Sequence, residues 1–168
     1  MSKNIVLCGF MGSGKTVTGK ALAKLLDRKF IDIDAFIEQE QNMSVSEIFK
    51  KLGEEHFRCL EATAATTLGK AQNIVISCGG GTVINPKNVA ALKQNGEIFY
   101  LSASPEVIIK RLENATDRPL LAEDKENQII TLLKNRIPLY EAAADHIIDA
   151  NKSITEVVEQ ISKSIKEA

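Results

Sequence analysis

Short apolar runs alternate with helical patterns along the whole chain. Five runs, most of them rich in β-branched side chains, predict strands: Ile5–Cys8, Phe30–Ile33, Ile74–Ser77, Ile98–Leu101 and His146–Ile148. The segments between them carry apolar residues at helical spacing. This alternation predicts βαβ units, and therefore an α/β fold around a parallel sheet.

Capping residues mark where several helices begin. Asn85 and Ser104 each precede a proline, which suits the first helical position because its missing N–H has no helical partner there. Ser44–Glu47 and Ser153–Glu156 have the spacing of capping boxes. The final helix carries an apolar stripe from residue 154 to residue 165, which predicts packing against the sheet.

Two segments interrupt the alternation. Residues 34–68 contain two or three helical patterns where a crossover needs one, which indicates an insertion after the second strand. Residues 114–124 have no sustained period and contain Arg118 before a proline, which is typical of a surface loop. A substrate pocket with a lid requires such an insertion and loop, although an added helix pair without that role is also common.

Charge and composition narrow the function classes. The chain has 168 residues, enough for one domain with a sizeable core, and 21 Lys and Arg face 22 Asp and Glu. A net charge of −1 gives no general attraction for nucleic acid or an acidic membrane. We therefore expect neither as a partner, and any anionic ligand must be held by local groups.

The cysteines and the N-terminus predict a cytoplasmic protein. Cys8, Cys59 and Cys78 are an odd number without the spacing of a zinc site, which favours reduced thiols. The first apolar run is too short for a signal-peptide core or a membrane span. Cys59 lies in a helical pattern, where we expect it to be buried.

One motif directly follows the first predicted strand. Gly9–Thr16 matches the pattern G-x-x-x-x-G-K-[ST], and a helical run begins at Val17. Glycines in such a loop let successive backbone N–H groups point at a phosphate, and the helix N-terminus adds positive charge. Lys15 would reach the β- and γ-phosphates, and the Thr16 hydroxyl would be a ligand of Mg²⁺. The strand, loop and helix together predict a P-loop nucleotide site.

Other features separate this chain from two large P-loop classes. Motor and transport ATPases end a later strand in a metal-binding carboxylate, whereas the third predicted strand here runs through Ser77 and Cys78 into glycines. GTPases read guanine with an Asn-Lys-x-Asp motif, and the stretch beginning at Asn151 lacks the aspartate. A small phosphotransferase remains as the prediction.

Two carboxylates follow the second predicted strand. Strand alternation would place Asp32 and Asp34 on the same side, at the sheet edge where α/β proteins bind ligands. Asp32 could orient metal-bound water near Thr16, and Asp34 could take a proton from an attacking hydroxyl. A lone aspartate here would more often cap a helix, but the pair beside a P-loop favours a functional role.

Three further features are weak signals when each is taken alone. Gly79, Gly80 and Gly81 predict either close approach of the backbone to a ligand or a tight turn with positive φ. Arg58 lies in the inserted helical region, and Arg136 lies in a later helical pattern. A single arginine usually occupies a solvated surface, so these two gain weight only together with other motifs.

Taken together, the motifs resemble the shikimate kinase family over essentially the whole chain. The resemblance rests on six motifs in this order: Gly9–Thr16, Asp32–Asp34, Phe57–Arg58, Gly79–Gly81, Arg118–Leu121 and Arg136–Tyr140. It implies Mg²⁺-dependent transfer of the ATP γ-phosphoryl group to the 3-hydroxyl of shikimate, a step of aromatic amino-acid (chorismate) biosynthesis. Cys78 departs from the family, in which many members carry threonine before the glycines.

The resemblance also implies the architecture. It predicts a P-loop-type three-layer α/β/α fold like that of nucleoside monophosphate kinases, with sheet order 2-3-1-4-5. Residues 1–168 would form a single kinase domain, with residues 34–61 as the substrate-binding insertion and residues 112–124 as the lid. We expect this domain to be a monomer.

The resemblance assigns roles to individual residues. Catalysis would involve Lys15, Asp34 and Arg118, with Arg118 reaching the ATP phosphates from the lid and Arg111 stacking on adenine. The nucleotide-binding residues would be Gly12, Ser13, Gly14, Lys15, Thr16, Val17, Arg111 and Arg118. The substrate-binding residues would be Asp34, Arg58, Gly79, Gly80, Gly81 and Arg136, with both arginines on the shikimate carboxylate. Thr16 and Asp32 would form the metal site.

Two other functions remain open at this point. One is another small-metabolite kinase on the same scaffold, such as a gluconate-type kinase. The other is a noncatalytic, nucleotide-dependent binding module that uses the insertion for docking. Asp34 and Arg118 count against the second alternative, because a switch protein needs neither a base nor a lid.

Overall fold

The computed structural model of the protein describes residues 2–114 and 125–167. Within those residues the strands are β1 (Asn4–Cys8), β2 (Lys29–Asp32), β3 (Ile74–Ser77), β4 (Gly96–Ser102) and β5 (His146–Asp149). They form one sheet in the order β2-β3-β1-β4-β5, and every neighbouring pair is parallel. The predicted sheet order is therefore confirmed.

Helices connect the strands and cover the sheet. Over the same described ranges they are α1 (Lys15–Leu25), α2 (Ile33–Gln41), α3 (Val45–Gly69), α4 (Pro86–Lys93), α5 (Pro105–Glu113), α6 (Lys125–Ala143) and α7 (Ile154–Glu167). A short 3-10 helix spans Thr82–Ile84. Helix α1 packs with α7, and α3 packs with α4, so the predicted three-layer α/β/α architecture is confirmed.

The predicted helix starts match the observed caps. The Asn85 side chain accepts a hydrogen bond from Lys87 N, and the Ser104 hydroxyl accepts one from Val107 N. Before α7, Ser153 N donates to Glu156 Oε2 while Glu156 N donates to Ser153 Oγ, which completes a capping box. These local bonds fix the residue at which each helix begins.

The second strand differs from its prediction. It ends at Asp32 rather than Ile33, because the Asp32 carboxylate accepts a hydrogen bond from Ala35 N and caps α2. Asp34 therefore lies in the first turn of a helix, and the strand alternation predicted for the two carboxylates is wrong. The chain turns into a helix at this point instead of continuing as a strand. The side chains of Asp32 and Asp34 still line the same cleft at the edge of the sheet.

The inserted segment consists of helices. Helix α2 and the first part of α3 cover residues 34–61, and α3 is interrupted at Gly53, whose φ of 84° and ψ of 167° are not helical. Leu112, where the predicted lid begins, is buried in the last turn of α5. Residues 115–124, which include Arg118, lie outside the described residues. No helix of the described ranges is long and apolar enough to cross a membrane.

Candidate active site

A cleft of about 550 Å³ opens at the carboxyl ends of the central strands. It brings together most of the site residues predicted from the sequence: Gly12, Gly14, Lys15, Thr16, Val17, Asp32, Asp34, Arg58, Gly79, Gly80, Gly81, Arg111 and Arg136. Ser13 is buried and does not line the cleft, and Arg118 lies outside the described residues. We name the two halves of the cleft after the predicted roles of their residues: the nucleotide half contains residues 11, 12 and 14–17 with Asp32 and Arg111, and the substrate half contains Asp34, Arg58, Glu61, Gly79–Gly81 and Arg136.

The loop between β1 and α1 has the conformation that its glycines allow. Gly12 and Gly14 have φ values of 80° and 91°, in the left-handed region that residues with a Cβ rarely adopt. Gly14 is the N-cap of α1, so the first N–H groups of that helix face the cleft. Ser13 N instead donates to Phe10 O over 3.1 Å, which closes the loop. The result is the anion-binding concavity that the motif predicts.

The Lys15 ammonium lies over this loop. Its Nζ donates to Gly9 O at 2.7 Å and to Phe10 O at 3.0 Å, so the side chain folds back onto the backbone that precedes it. Both acceptors belong to the loop itself. The charge is therefore held where a phosphate in the loop would contact it.

Thr16 and Asp32 approach each other beside the loop. Thr16 Oγ1 lies 3.5 Å from Asp32 Oδ2, while Asp32 Oδ1 accepts the capping bond from Ala35 N. Asp32 thus caps α2 with one carboxylate oxygen and keeps the other beside Thr16, so the cap does not exclude the predicted functional role. A hydroxyl and a carboxylate are hard oxygen donors that fit Mg²⁺, which is usually held by few side chains together with phosphates and water. The described residues contain no cluster of three or more His, Cys, Asp or Glu that could hold a metal.

The Asp34 carboxyl is largely buried and unsatisfied. Its Oδ1 is enclosed and has no hydrogen-bond partner among the described residues. Burial, together with the nearby charges of Asp32 and Glu61, raises the pKa of Asp34 to about 6, although the Lys15 ammonium acts in the opposite direction. A buried carboxyl that titrates near neutrality and points into a cleft suits a general base.

The three consecutive glycines serve close packing. An ideal Cβ would lie 2.9 Å from Asp34 Oδ1 at Gly79, 3.3 Å from Arg136 Nη1 at Gly80 and 2.8 Å from Arg58 Nη1 at Gly81. None of these glycines has a positive φ. Close approach, rather than a left-handed turn, therefore explains the motif, and what approaches each glycine is one of the charged side chains of the substrate half.

Glu61 is a site residue that the sequence analysis missed. It is 1% exposed, and its Oε1 accepts a hydrogen bond from Arg58 Nη1 at 3.0 Å. The second Arg58 terminal nitrogen, Nη2, lies 3.5 Å from the exposed Glu54. The spacing of three residues between Arg58 and Glu61 on one helix was the available signal, since such pairs share a helix face.

Arg136 reaches the cleft from α6. Its guanidinium lies 5.9 Å from the Phe10 ring centroid, at the edge of cation–π range, and against Gly80. One helical turn later, the buried Tyr140 hydroxyl donates to Gly80 O at 2.7 Å. Burial raises the pKa of Tyr140 to about 12, so the phenol remains a donor and holds the glycine turn in place.

Arg111 connects two loops at the far end of the nucleotide half. Its Nη1 donates to Gly12 O at 3.3 Å and its Nη2 donates to Ala150 O at 2.8 Å. The guanidinium therefore ties the P-loop to the segment after β5. Because its edge makes both bonds, the planar face is the part suited to stacking on a base.

The cysteines divide by environment. Cys8 and Cys78 are buried, and burial raises the pKa of Cys8 to about 12, which keeps this thiol protonated and unreactive. Cys59 is exposed, so the prediction of burial is wrong: the buried face of α3 contains Phe57 and Glu61, and a position two residues after Phe57 lies on the other side of the helix. All three thiols are free of disulfides.

Comparisons with known proteins identify the family. The family model of shikimate kinase matches residues 11–166. A shikimate kinase of Caldanaerobacter subterraneus subsp. tengcongensis is 49% identical over 164 residues, covering 96% of this chain and 95% of that protein. A shikimate kinase of Thermoanaerobacter pseudethanolicus is 45% identical over 164 residues, with the same coverage of both chains.

Solved structures agree with the sequence comparisons. The shikimate kinase from Acinetobacter baumannii in complex with shikimate superposes with a TM-score of 0.91 and 36% identity, covering 99% of this chain and 94% of that one. A gluconokinase from Sinorhizobium meliloti shares the fold alone, with a TM-score of 0.66 and 18% identity over 98% of this chain and 92% of that one. The predicted family is confirmed: the chain belongs to the shikimate kinases, which are ATP:shikimate 3-phosphotransferases.

Proposed function

We propose that this protein transfers the γ-phosphoryl group of ATP to the 3-hydroxyl of shikimate, a step of aromatic amino-acid biosynthesis. One observation carries the proposal: a P-loop cleft in which two arginines and a carboxyl with a raised pKa pack against one glycine turn. A small carboxylated polyol needs cations for its carboxylate and an acceptor for its hydroxyls. The substrate half offers both.

The nucleotide half binds ATP. The backbone of Gly12–Val17 takes the phosphates at the start of α1, and Lys15 exchanges its loop carbonyls for phosphate oxygens. Thr16 and Asp32 would hold Mg²⁺, which would neutralise charge on the phosphates. Arg111 presents its guanidinium face to adenine.

The substrate half orients shikimate. Arg58 and Arg136 bind the carboxylate, and the backbone of Gly79–Gly81 lies against the ring. Asp34 accepts the proton of the 3-hydroxyl while that oxygen bonds to the γ-phosphorus. The bond from the γ-phosphorus to the bridging oxygen breaks, and ADP leaves with the electron pair.

Two segments of the chain have roles of their own in this reaction. Residues 34–61 act as the substrate-binding insertion and residues 112–124 as the lid, from which Arg118 contacts the phosphates during transfer. The domain works as a monomer in the cytoplasm with ATP and shikimate as its ligands, and it binds neither nucleic acid nor a membrane. The free thiols and the near-zero net charge support this context.

A substrate-profiling assay tests the proposal. The purified protein is given ATP and Mg²⁺ with shikimate, quinate, gluconate or nucleoside monophosphates, and ADP release is measured. We expect turnover with shikimate at a kcat/KM far above that with the others. If gluconate is the preferred substrate, the proposed function is wrong and the protein is a gluconate-type kinase. If no acceptor gives turnover, a noncatalytic binding module is favoured.

A further inference from the structure

The buried Glu61 carboxylate has two partners on opposite sides. Oε1 accepts from Arg58 Nη1 at 3.0 Å, and Oε2 accepts from Thr82 Oγ1 at 2.9 Å. Glu61 is 1% exposed, so water does not compensate for a missing donor. The orientation of the carboxylate is therefore set jointly by the arginine and the threonine.

Thr82 is itself held in place by the fold. It is 0% exposed, its N–H donates to Gly79 O at 3.2 Å, and its carbonyl accepts from Asn88 Nδ2 at 3.0 Å. Asn88 lies on α4 and is 2% exposed. Thr82 thus connects the glycine turn and α4 with the carboxylate on α3.

The two sides of the Arg58 guanidinium differ in how firmly they are held. Nη1 is bonded to the buried Glu61, whereas Nη2 lies 3.5 Å from Glu54, whose side chain is 69% exposed. An exposed pair at that distance is weak, so Nη2 can leave Glu54 for an incoming carboxylate. Nη1 must keep its bond with Glu61, because a buried carboxylate without its cation is costly.

We propose that Thr82 is a positioning residue for substrate binding, since its hydroxyl fixes Glu61 and through Glu61 the direction in which Arg58 presents its free edge. Without that hydroxyl, Oε2 has no donor, and the carboxylate can rotate to share both oxygens with Arg58. The guanidinium then turns away from its place beside Gly81. This inference rests on the proposed function, in which Arg58 binds the substrate carboxylate.

Replacement of the hydroxyl by a methyl group tests the role of Thr82. Thr82→Val keeps the shape of the side chain, and we expect it to raise KM for shikimate about 3- to 10-fold while kcat and KM for ATP stay within about twofold. Thr82→Ser restores the donor and should restore KM. The matched control is Thr66→Val on the exposed face of α3, where the lost bond goes to Ala62 O and KM should not change.

A double-mutant cycle separates positioning from a general loss of structure. In the Arg58→Ala background, Thr82→Val should leave KM for shikimate unchanged, because its effect passes through Arg58. Urea unfolding is measured alongside, and a loss of stability with normal KM in Thr82→Val would overturn the proposal. If the valine variant does not fold, Thr82→Ala removes the same hydroxyl without a clash and replaces it.

The single variant Arg58→Ala separates a failure of the role of Thr82 from a failure of the proposed function. If it raises KM for shikimate and Thr82→Val does not, the role of Thr82 is wrong and the proposed function stands. If Arg58→Ala leaves KM for shikimate unchanged, the residue assignment in the proposed function is wrong as well. An equal effect of Thr82→Val with and without Arg58 would also overturn the positioning role.

Discussion

The two halves of the cleft are built on different principles. In the nucleotide half, a continuous segment supplies most of the binding groups, and Lys15 bonds to carbonyls only five and six residues before it. In the substrate half, charged side chains from α2, α3 and α6 converge on a single glycine turn. Phosphate binding thus depends mainly on local backbone conformation, whereas recognition of the acceptor depends on packing between distant elements.

This contrast has an energetic side. The nucleotide half uses N–H groups that are unpaired at any helix start, so an anion there replaces water without breaking internal bonds. The substrate half holds the buried charge of Glu61 and the largely buried carboxyl of Asp34, each of which costs free energy when the substrate is absent. Substitutions in the two halves should therefore have separable effects on ATP, on shikimate and on stability.

The largest effect should follow from removing the one side-chain charge of the P-loop. We expect Lys15→Ala to lower kcat by at least about 10³-fold, because a positive charge on the transferring group is lost. Lys15 is not part of the hydrophobic core, so the fold should survive and the circular-dichroism spectrum should not change. Lys20→Ala, at an exposed position of α1, is the matched control; near-normal turnover in Lys15→Ala would contradict the P-loop assignment.

The next largest effect should fall on the acceptor alone. Arg136→Ala should raise KM for shikimate about 10- to 100-fold with little change in KM for ATP, since one charge-assisted pair to the carboxylate is lost. Arg58→Ala should do the same and also lower stability, because it leaves Glu61 buried without its cation. Lys134→Ala on the exposed side of α6 serves as control. A loss of ATP affinity instead of shikimate affinity would break the division into halves.

Gly81→Ala tests the close approach directly. The added Cβ would lie 2.8 Å from Arg58 Nη1, which must shift, and we expect KM for shikimate to rise about tenfold. The clash is with the end of a side chain rather than with the backbone, so thermal stability should fall less than in Arg58→Ala, where Glu61 loses its cation altogether. Gly80→Ala, where the nearest atom is Arg136 Nη1 at 3.3 Å, should have a smaller effect. Equal KM values in all three proteins would show that the glycines do not position the arginines.

The Asp34 carboxyl should make stability depend on pH. Because its pKa is raised to about 6 in the folded state, the native protein binds this proton more tightly than the unfolded chain. The stability it contributes is complete below about pH 4 and is lost as pH rises through about 6. Relative to the wild type, Asp34→Asn should therefore gain about 3 kcal/mol of stability between about pH 4 and about pH 7.

Urea unfolding of both proteins at several pH values measures this difference. The difference in the free energy of unfolding between Asp34→Asn and the wild type should increase between about pH 4 and about pH 6 and stay constant above about pH 6. In the same range, kcat/KM of the wild type should fall as the pH drops below about 6, because a protonated Asp34 cannot accept the hydroxyl proton. A difference in stability that stays constant across this pH range would show that Asp34 is not a buried carboxyl with a raised pKa.

The smallest effect should come from Glu54, an exposed carboxylate that would compete with the substrate for Arg58. Glu54→Gln removes a charge that lies 3.5 Å from Arg58 Nη2, so KM for shikimate should fall by less than about twofold at low salt. The change should vanish at high salt, where exposed charges are screened. Glu55→Gln, an exposed neighbour that makes no described contact with Arg58, is the control. A rise in KM would mean that Glu54 supports the binding geometry.

Sequence reasoning succeeded where interactions are local. The helical start after the P-loop and the helix caps at Asn85 and Ser104 were predicted from neighbouring residues, whereas the strand order was predicted only from the family resemblance. It failed at β2, where a cap bond from Ala35 N to Asp32 competes with strand alternation and moves Asp34 into a helix. It also predicted that Cys59 is buried, although the helical stripe through Phe57 and Glu61 leaves Cys59 on the exposed face of α3.

By itself, the sequence predicted a phosphate-binding loop after β1 from eight contiguous residues, and six motifs together predicted a small-molecule kinase of the family that the comparisons confirm. Only the tertiary structure decided how the acceptor side is assembled: why three glycines are needed, which carboxylate orients Arg58, and why the pKa of Asp34 is raised. The physical reason is distance along the chain. Contacts within one turn are encoded by neighbouring residues, whereas those between residues 34, 58, 80 and 136 arise only when packed helices bring charged side chains onto the same backbone turn.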